Sequence, residues 1–137
     1  MSLYDILRSA IIDNEYSLFI NQYTHRLSDS EKIILFHAAC IWNRVNIMDH
    51  MVQKGFKLSS DMTVPVSISH TEETIRPMPI IFECISYAAL ESLEWLLVHG
   101  VSAEAFHPDT GKSAYEYALR RTDPGFAESL IRHAGLG

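Results

Sequence analysis

Apolar residues recur at helical spacing along most of the chain, in pairs of short segments joined by tight turns. The clearest pairs lie between Ile34 and Gly55 and between Pro79 and Gly100, and each ends in a glycine. Apolar positions three or four residues apart form one helix face, and a terminal glycine favours the left-handed conformation that ends a helix. A pair this short cannot bury both of its apolar faces alone. The pattern therefore predicts a stack of helix pairs.

The same periodicity predicts eight helices and no sheet core, an all-α fold. The first pair, residues 2–27, is expected to act as an N-terminal cap; it starts with a helix over Leu3–Ile12, and Asn14 caps the second helix. The third helix is expected to be capped by Asp29 or Ser30. The remaining predicted helices are Glu31–Ile41, Val45–Lys54, Ile80–Tyr87, Leu90–His99, Ser113–Arg121 and a last helix that starts at Asp123–Pro124 and ends before Gly135.

Residues 56–78 have a different pattern. Val64 and Val66 alternate with Pro65 and Ser67, which indicates a short extended segment. The prolines at positions 65 and 77 exclude the central strand of a sheet. We therefore expect a long finger or hairpin that projects from the stack.

Local residues assign the pairs to a repeat type. Ile34–Ala39 aligns with the ankyrin opening T-P-L-H-x-A through His37 and Ala39, and Asp109–Ala118 aligns with D-x-G-x-T-P-L-H-x-A. The chain therefore resembles an ankyrin-repeat protein, although the Thr-Pro pair is nowhere intact. The resemblance implies one domain, an ankyrin-type solenoid in which His37 makes a hydrogen bond at the helix start. Its repeats cover about 30–58, 78–103 and 109–135.

The resemblance also implies a binding surface. Ankyrin proteins bind other proteins through the concave face formed by the first helix of each repeat and by the finger tips. On this frame Trp42, Tyr87 and Arg121 occupy corresponding positions, and these residue types are enriched in binding hot spots. The projecting finger adds acidic residues. The partner-binding residues expected on these grounds are Ile41, Trp42, Asp61, Glu72, Glu73, Glu83, Tyr87, Tyr117, Arg120 and Arg121.

Composition narrows the class of partner. The 137-residue chain has a net charge of −6, which argues against nucleic acid and favours a basic protein. Cys40 and Cys84 form no C-x-x-C motif, and their apolar surroundings indicate buried thiols in a reducing compartment. No signal peptide or membrane span is evident, so we expect a cytoplasmic protein without a membrane partner. The oligomeric state stays open.

The sequence predicts no catalytic residues, metal or cofactor. No two of the seven histidines have the i, i+4 spacing of a zinc helix. Asp109–Gly111 matches the aspartic-protease triplet, but a repeat turn explains it better. A metal-dependent or acid–base enzyme that uses Asp61, His70 and Glu72 is the least favoured alternative.

A protein-binding module is therefore the leading functional hypothesis. Such a module acts by capturing or masking its partner, and an acidic stack suits an immunity-type protein that neutralises a basic toxin or nuclease. The alternative from a different class is an ankyrin adaptor or effector that bridges cellular proteins.

Overall fold

The structure, a computed structural model, describes residues 2–24, 26–67 and 75–134. This part of the chain is mostly helical, and it contains eight helices and two strands. In chain order they are α1 (Leu3–Ile12), α2 (Tyr16–Gln22), α3 (Asp29–Ile41), α4 (Val45–Gln53), β1 (Thr63–Ser67), β2 (Ile75–Pro79), α5 (Ile80–Ser86), α6 (Leu90–Val98), α7 (Ala114–Ala118) and α8 (Gly125–Ala134).

The first three helix pairs share one type of turn. Asn14, Asn43 and Ala88 each adopt a positive φ, between 57° and 60°, just after the first helix of their pair. The N–H of the next residue bonds to a carbonyl five residues back, at 2.8 Å in all three turns. This bond satisfies a carbonyl that the helix end leaves free. The first pair, predicted to be a cap, thus turns in the same way as the next two.

The pairs pack side by side in two rows. In one row α1 contacts α3, α3 contacts α5, and α5 contacts α7; in the other row α2, α4, α6 and α8 contact one another in the same order. Apolar side chains between the rows form one continuous core. Its largest fully buried members include Phe19, Phe36, Phe126, Leu7, Ile11 and Leu35.

Polar side chains in the turn between α3 and α4 also join the pairs. Arg44 donates to the carbonyls of Ile11 and Ile12, at 2.8 and 2.9 Å, where α1 ends. The side-chain carbonyl of Asn43 accepts the Ser92 N–H at 2.9 Å, and its amide donates to Glu91. The bond from Asn43 lowers the pKa of the Glu91 carboxyl. The turn therefore satisfies free backbone groups at the ends of α1 and α6.

The predicted finger contains a β-hairpin, one of the two forms expected for it, so the fold is mostly helical with a small two-stranded sheet. β1 and β2 pair antiparallel, with Pro65 opposite Pro77. Neither proline has an N–H, so this pair cannot bond across the hairpin. The prolines are tolerated because each strand pairs with one neighbour, so that alternate N–H groups along a strand point away from the partner and need no ladder bond. Residues 68–74 of the finger lie outside the described residues.

Several helix boundaries differ from the predicted ones. α3 begins at Asp29 because Ser28, rather than Asp29 or Ser30, caps it: its hydroxyl accepts the Glu31 N–H at 3.1 Å, and Glu31 bonds back to the Ser28 N–H. Glu15 precedes α2, and Asn14 supplies the positive φ of the turn instead of a cap.

The last pair also departs from its predicted limits. α7 ends at Ala118, since Arg120 and Arg121 bond to carbonyls three residues back, at 3.1 Å each, and not four. α8 begins within one residue of the predicted Asp123–Pro124 start. Gly135, predicted as its terminal glycine, lies outside the described residues.

Candidate partner-binding groove

A groove of about 560 Å³ runs along the row of first helices, between α5, α7 and the β-hairpin. We call it the inner groove. Helices supply His37, Phe82, Glu83, Ser86, Tyr87 and Tyr117; the hairpin supplies Pro65, Val66 and Met78; and the loop before α7 supplies His107 and Asp109. The groove is therefore formed by two helix pairs and the finger together, as well as one residue of α3.

A hydrogen bond between two helix pairs lies at one side of the inner groove. The His37 Nε2 is 2.8 Å from the Glu83 Oε1, and the two side chains are only 17% and 14% exposed. The predicted bond at a helix start is therefore wrong: α3 begins two turns before His37, which lies inside the helix and bonds to a side chain of α5. This bond orients the Glu83 carboxylate along the groove wall.

Three aromatic rings packed against one another form another part of the groove lining. His107 and Tyr117 are nearly parallel, with centroids 5.1 Å apart, and Phe82 packs edge-on against both at 5.4 and 5.3 Å. The Tyr117 hydroxyl lies 3.0 Å from the Thr110 Oγ1. The contacts hold Tyr117 to the loop, so this wall is built before any ligand arrives.

An ion pair joins the hairpin to the loop that lines the groove. Arg76 of β2 donates to the Asp109 carboxylate in the loop before α7. The charge of Asp109 is thereby partly neutralised, whereas within the described residues Glu83 has no lysine or arginine at ion-pair distance. Glu83 is consequently the main source of negative potential in the groove.

The structure brings three predicted partner-binding residues together in this groove: Glu83, Tyr87 and Tyr117. Tyr87 is 59% exposed. Arg120 lies beside them, with its guanidinium carbon 5.4 Å from the Tyr117 ring centroid. Glu83, Tyr87 and Tyr117 thus line one groove, and their role in partner binding stays a prediction.

Trp42 and Ile41 lie at the end of α3, outside the groove. Trp42 is the C-cap of α3, as Tyr87 is of α5, and it is 45% exposed; Ile41 is half-buried. Because α3 and α5 are neighbours, Trp42 and Tyr87 occupy equivalent positions on adjacent pairs.

Arg121 and Asp61 do not line this groove. Arg121 is half-buried and its guanidinium faces Phe126 at 6.0 Å, so the predicted row of Trp42, Tyr87 and Arg121 stops at Tyr87. The short α7 causes this, because its early end turns Arg121 toward α8. Asp61 is exposed at the base of the hairpin. Glu72 and Glu73 lie outside the described residues.

Sequence reasoning missed the contributions of Phe82, His107 and Asp109. Asp109 was assigned only to the repeat frame and its turn, and Phe82 and His107 were not singled out. The loop before α7 could have been recognised as groove-forming, because it directly precedes a helix in the same row as α5. The stacking of His107 on Tyr117, however, depends on ring orientations that the spacing of residues in the sequence does not reveal.

Two further properties bear on the chemistry. Among residues 2–24, 26–67 and 75–134, no three His, Cys, Asp or Glu side chains are grouped closely enough to hold a metal ion. His70 and Glu72, named for the metal alternative, are not in those ranges. Within the same ranges, no helix has the length and hydropathy that crossing a bilayer requires.

Comparisons with known proteins do not assign the chain. No protein-family model matches it, and no curated protein is significantly similar in sequence. Function must therefore be argued from the groove itself.

Proposed function

We propose that the chain is an ankyrin-type solenoid that captures or masks a partner protein. The architecture is supported by the two rows of helices and by the turns of one type in the first three pairs. The finger between α4 and α5 has the position that hairpins take in such stacks.

One observation carries the binding role: an open groove holds two large aromatic side chains of predicted hot-spot type beside a carboxylate. Tyr87 and Tyr117 line the groove with Glu83, and Trp42 extends the surface onto α3. Exposed tyrosine and tryptophan contribute large contact areas at low entropic cost, and they are typical anchors of protein interfaces. The side chains that surround Tyr117 are held by contacts with one another, so little ordering is needed on binding.

The acidic character of the chain favours a basic partner. A net charge of −6 accelerates association with a positively charged protein and disfavours nucleic acid. An immunity-type role, in which the chain neutralises a basic toxin or nuclease, is the specific form of this proposal. It predicts one high-affinity partner, whereas an adaptor would have several.

Co-purification with variants tests the proposal. The wild type and the double variant Trp42→Ala/Tyr87→Ala would be compared with Val98→Ala, whose side chain is 68% exposed at the end of α6 in the other helix row. A partner retained by the wild type would be purified and its affinity measured by calorimetry. We expect the double variant to bind about 30-fold or more weakly and Val98→Ala to bind like the wild type.

Equal affinities for the double variant and the wild type would contradict the proposal. If the captured partner is a nuclease or another toxin, its activity should fall in proportion to the complex formed. Full activity in the saturated complex would rule out the immunity-type role and leave simple capture. Several unrelated partners that depend on Trp42 and Tyr87 would favour the adaptor.

A further inference from the structure

We propose that the inner groove receives an arginine side chain of the partner, with its guanidinium on Glu83 and its flat face on Tyr87. The inference rests on the proposed function, because it names the chemical group of the partner that enters the groove.

The Glu83 carboxylate can accept a further hydrogen bond. His37 bonds to Oε1, and within the described ranges no hydrogen bond to Oε2 is present. The side chain is only 14% exposed, so water competes weakly for the remaining oxygen. A charged donor that reaches Oε2 would thus form a charge-assisted hydrogen bond in partly desolvated surroundings.

Tyr87 supplies an open aromatic face next to this carboxylate. Its N–H bonds to the Glu83 carbonyl at 3.0 Å, which places the two residues one helical turn apart, and both line the groove. In the described part of the chain the Tyr87 ring has no aromatic or cationic neighbour. The Tyr117 ring, by contrast, already contacts His107 and Arg120. Tyr87 is the ring that a ligand cation can use.

A carboxylate beside an open aromatic ring favours a guanidinium group over an ammonium group as the ligand. The donors of a guanidinium lie in its plane, so it can stack flat on a ring while it donates sideways to a carboxylate. A lysine ammonium is compact and strongly hydrated, and it gains less from stacking. Glu83 would repel an anionic ligand.

The probe for this site is Nα-acetyl-arginine N-methylamide, titrated into the full chain and followed by amide NMR shifts. The matched control ligand is the citrulline derivative, which has nearly the same shape but no charge. We expect the arginine derivative to shift groove amides with a Kd on the order of millimolar, and the citrulline derivative to bind at least about tenfold more weakly. The lysine derivative should fall between them.

Substitutions test whether arginine binding depends on Glu83 and Tyr87. Glu83→Gln, which can still bond to His37, should weaken arginine binding about tenfold, and Tyr87→Ala about threefold. Glu128→Gln removes one negative charge from an exposed position on α8 and should leave the Kd unchanged. Since Tyr87 is exposed, its variant tests the site even if Glu83→Gln perturbs folding.

Equal shifts with arginine and citrulline, or an unchanged Kd in both Tyr87→Ala and Glu83→Gln, would overturn the inference. Its failure is distinguishable from that of the proposed function. A partner whose capture depends on Trp42 and Tyr87 would uphold the function even if the arginine derivative does not bind. If the arginine derivative binds but no such partner is captured, the inference about the groove is supported and the proposed function is contradicted.

Discussion

His37 and Glu83, 46 residues apart in the chain, are joined by a 2.8 Å hydrogen bond that links α3 to α5. We expect His37→Ala to lower the free energy of unfolding by about 1–2 kcal/mol, because the mostly buried Glu83 carboxylate loses its partner. Urea denaturation followed by circular dichroism measures the change. His133→Ala, an exposed histidine on α8, is the control and should change stability by less than about 0.5 kcal/mol. Equal stability of the two variants would show that the bond contributes nothing.

Arg44 holds the end of α1 through two bonds to backbone carbonyls. Arg44→Ala should cost about 2 kcal/mol, since two hydrogen bonds from a charged donor are lost. Hydrogen exchange should show faster opening of α1 and α2 than of α6. The control is Arg8→Ala, an exposed position on α1, which should leave the exchange pattern unchanged. Uniformly faster exchange in Arg44→Ala would mean that the residue stabilises the whole stack and not this pair.

Ala88 adopts a left-handed conformation, with φ of 57°, in the turn between α5 and α6. A side chain makes this conformation unfavourable by about 1 kcal/mol or more, whereas glycine adopts it freely. Ala88→Gly should therefore raise the free energy of unfolding by about 0.5–1 kcal/mol, measured by urea denaturation. Ala38→Gly, inside α3, should destabilise by about 1 kcal/mol. Destabilisation by both substitutions would be inconsistent with the turn geometry.

His50 should make the fold sensitive to acid. Its ring lies edge-on to those of Tyr16, Phe19 and Tyr23, at 5.9–6.4 Å, and its buried Nε2 has no hydrogen-bond partner among the described residues. Burial lowers the pKa of His50, nearby Lys54 lowers it further, and Asp49 opposes them. The unfolded chain therefore takes up this proton first, at about pH 6.5.

The sign of the pH effect follows from that order. Stability contributed by neutral His50 is present above about pH 6.5 and is lost as the pH falls toward the lowered pKa of the folded state. We expect His50→Leu to lose less unfolding free energy than the wild type between about pH 7.5 and pH 5.5. Other titrating groups are common to both proteins and cancel in the comparison. Parallel pH profiles would exclude His50 as the source.

Cys40 and Cys84 meet across the interface of α3 and α5, where both are fully buried and free. Burial raises the pKa of the Cys40 thiol well above its usual value, and the hydrogen bond and charge of Cys84 act in the same direction. The thiolate is the reactive form, so Ellman's reagent should label the native thiols more than about a hundredfold more slowly than the urea-unfolded ones. Rapid labelling of Cys84→Ala in its native state would show that Cys40 is accessible.

Much of the architecture was readable from periodicity alone. The positions of α1, α4, α5 and α6 agree with prediction to within one residue at each end, because their apolar faces repeat at helical spacing and a turn residue follows α1, α4 and α6. The predicted boundaries were wrong where a local hydrogen bond determines which of several neighbouring residues caps or ends a helix. Ser28 displaced Asp29 and Ser30 as a cap, and bonds to carbonyls three residues back ended α7 early.

The candidate site was predicted less completely. Glu83, Tyr87 and Tyr117 were found from their places in the repeat frame, and the structure brings them into one groove. His107 was missed because its role depends on stacking with a ring ten residues away. Arg121 was assigned to the exposed row, since the frame contains no information about where α7 ends.

The sequence by itself determined which segments are helical, where their pairs turn and which faces are apolar, because these depend on interactions between residues a few positions apart. Only the tertiary structure decided that His37 meets Glu83, that Cys40 meets Cys84, and that the hairpin and the loop before α7 close a groove over α5. Those contacts join residues that are distant in the chain, and they depend on the distance and angle at which one helix pair packs on the next.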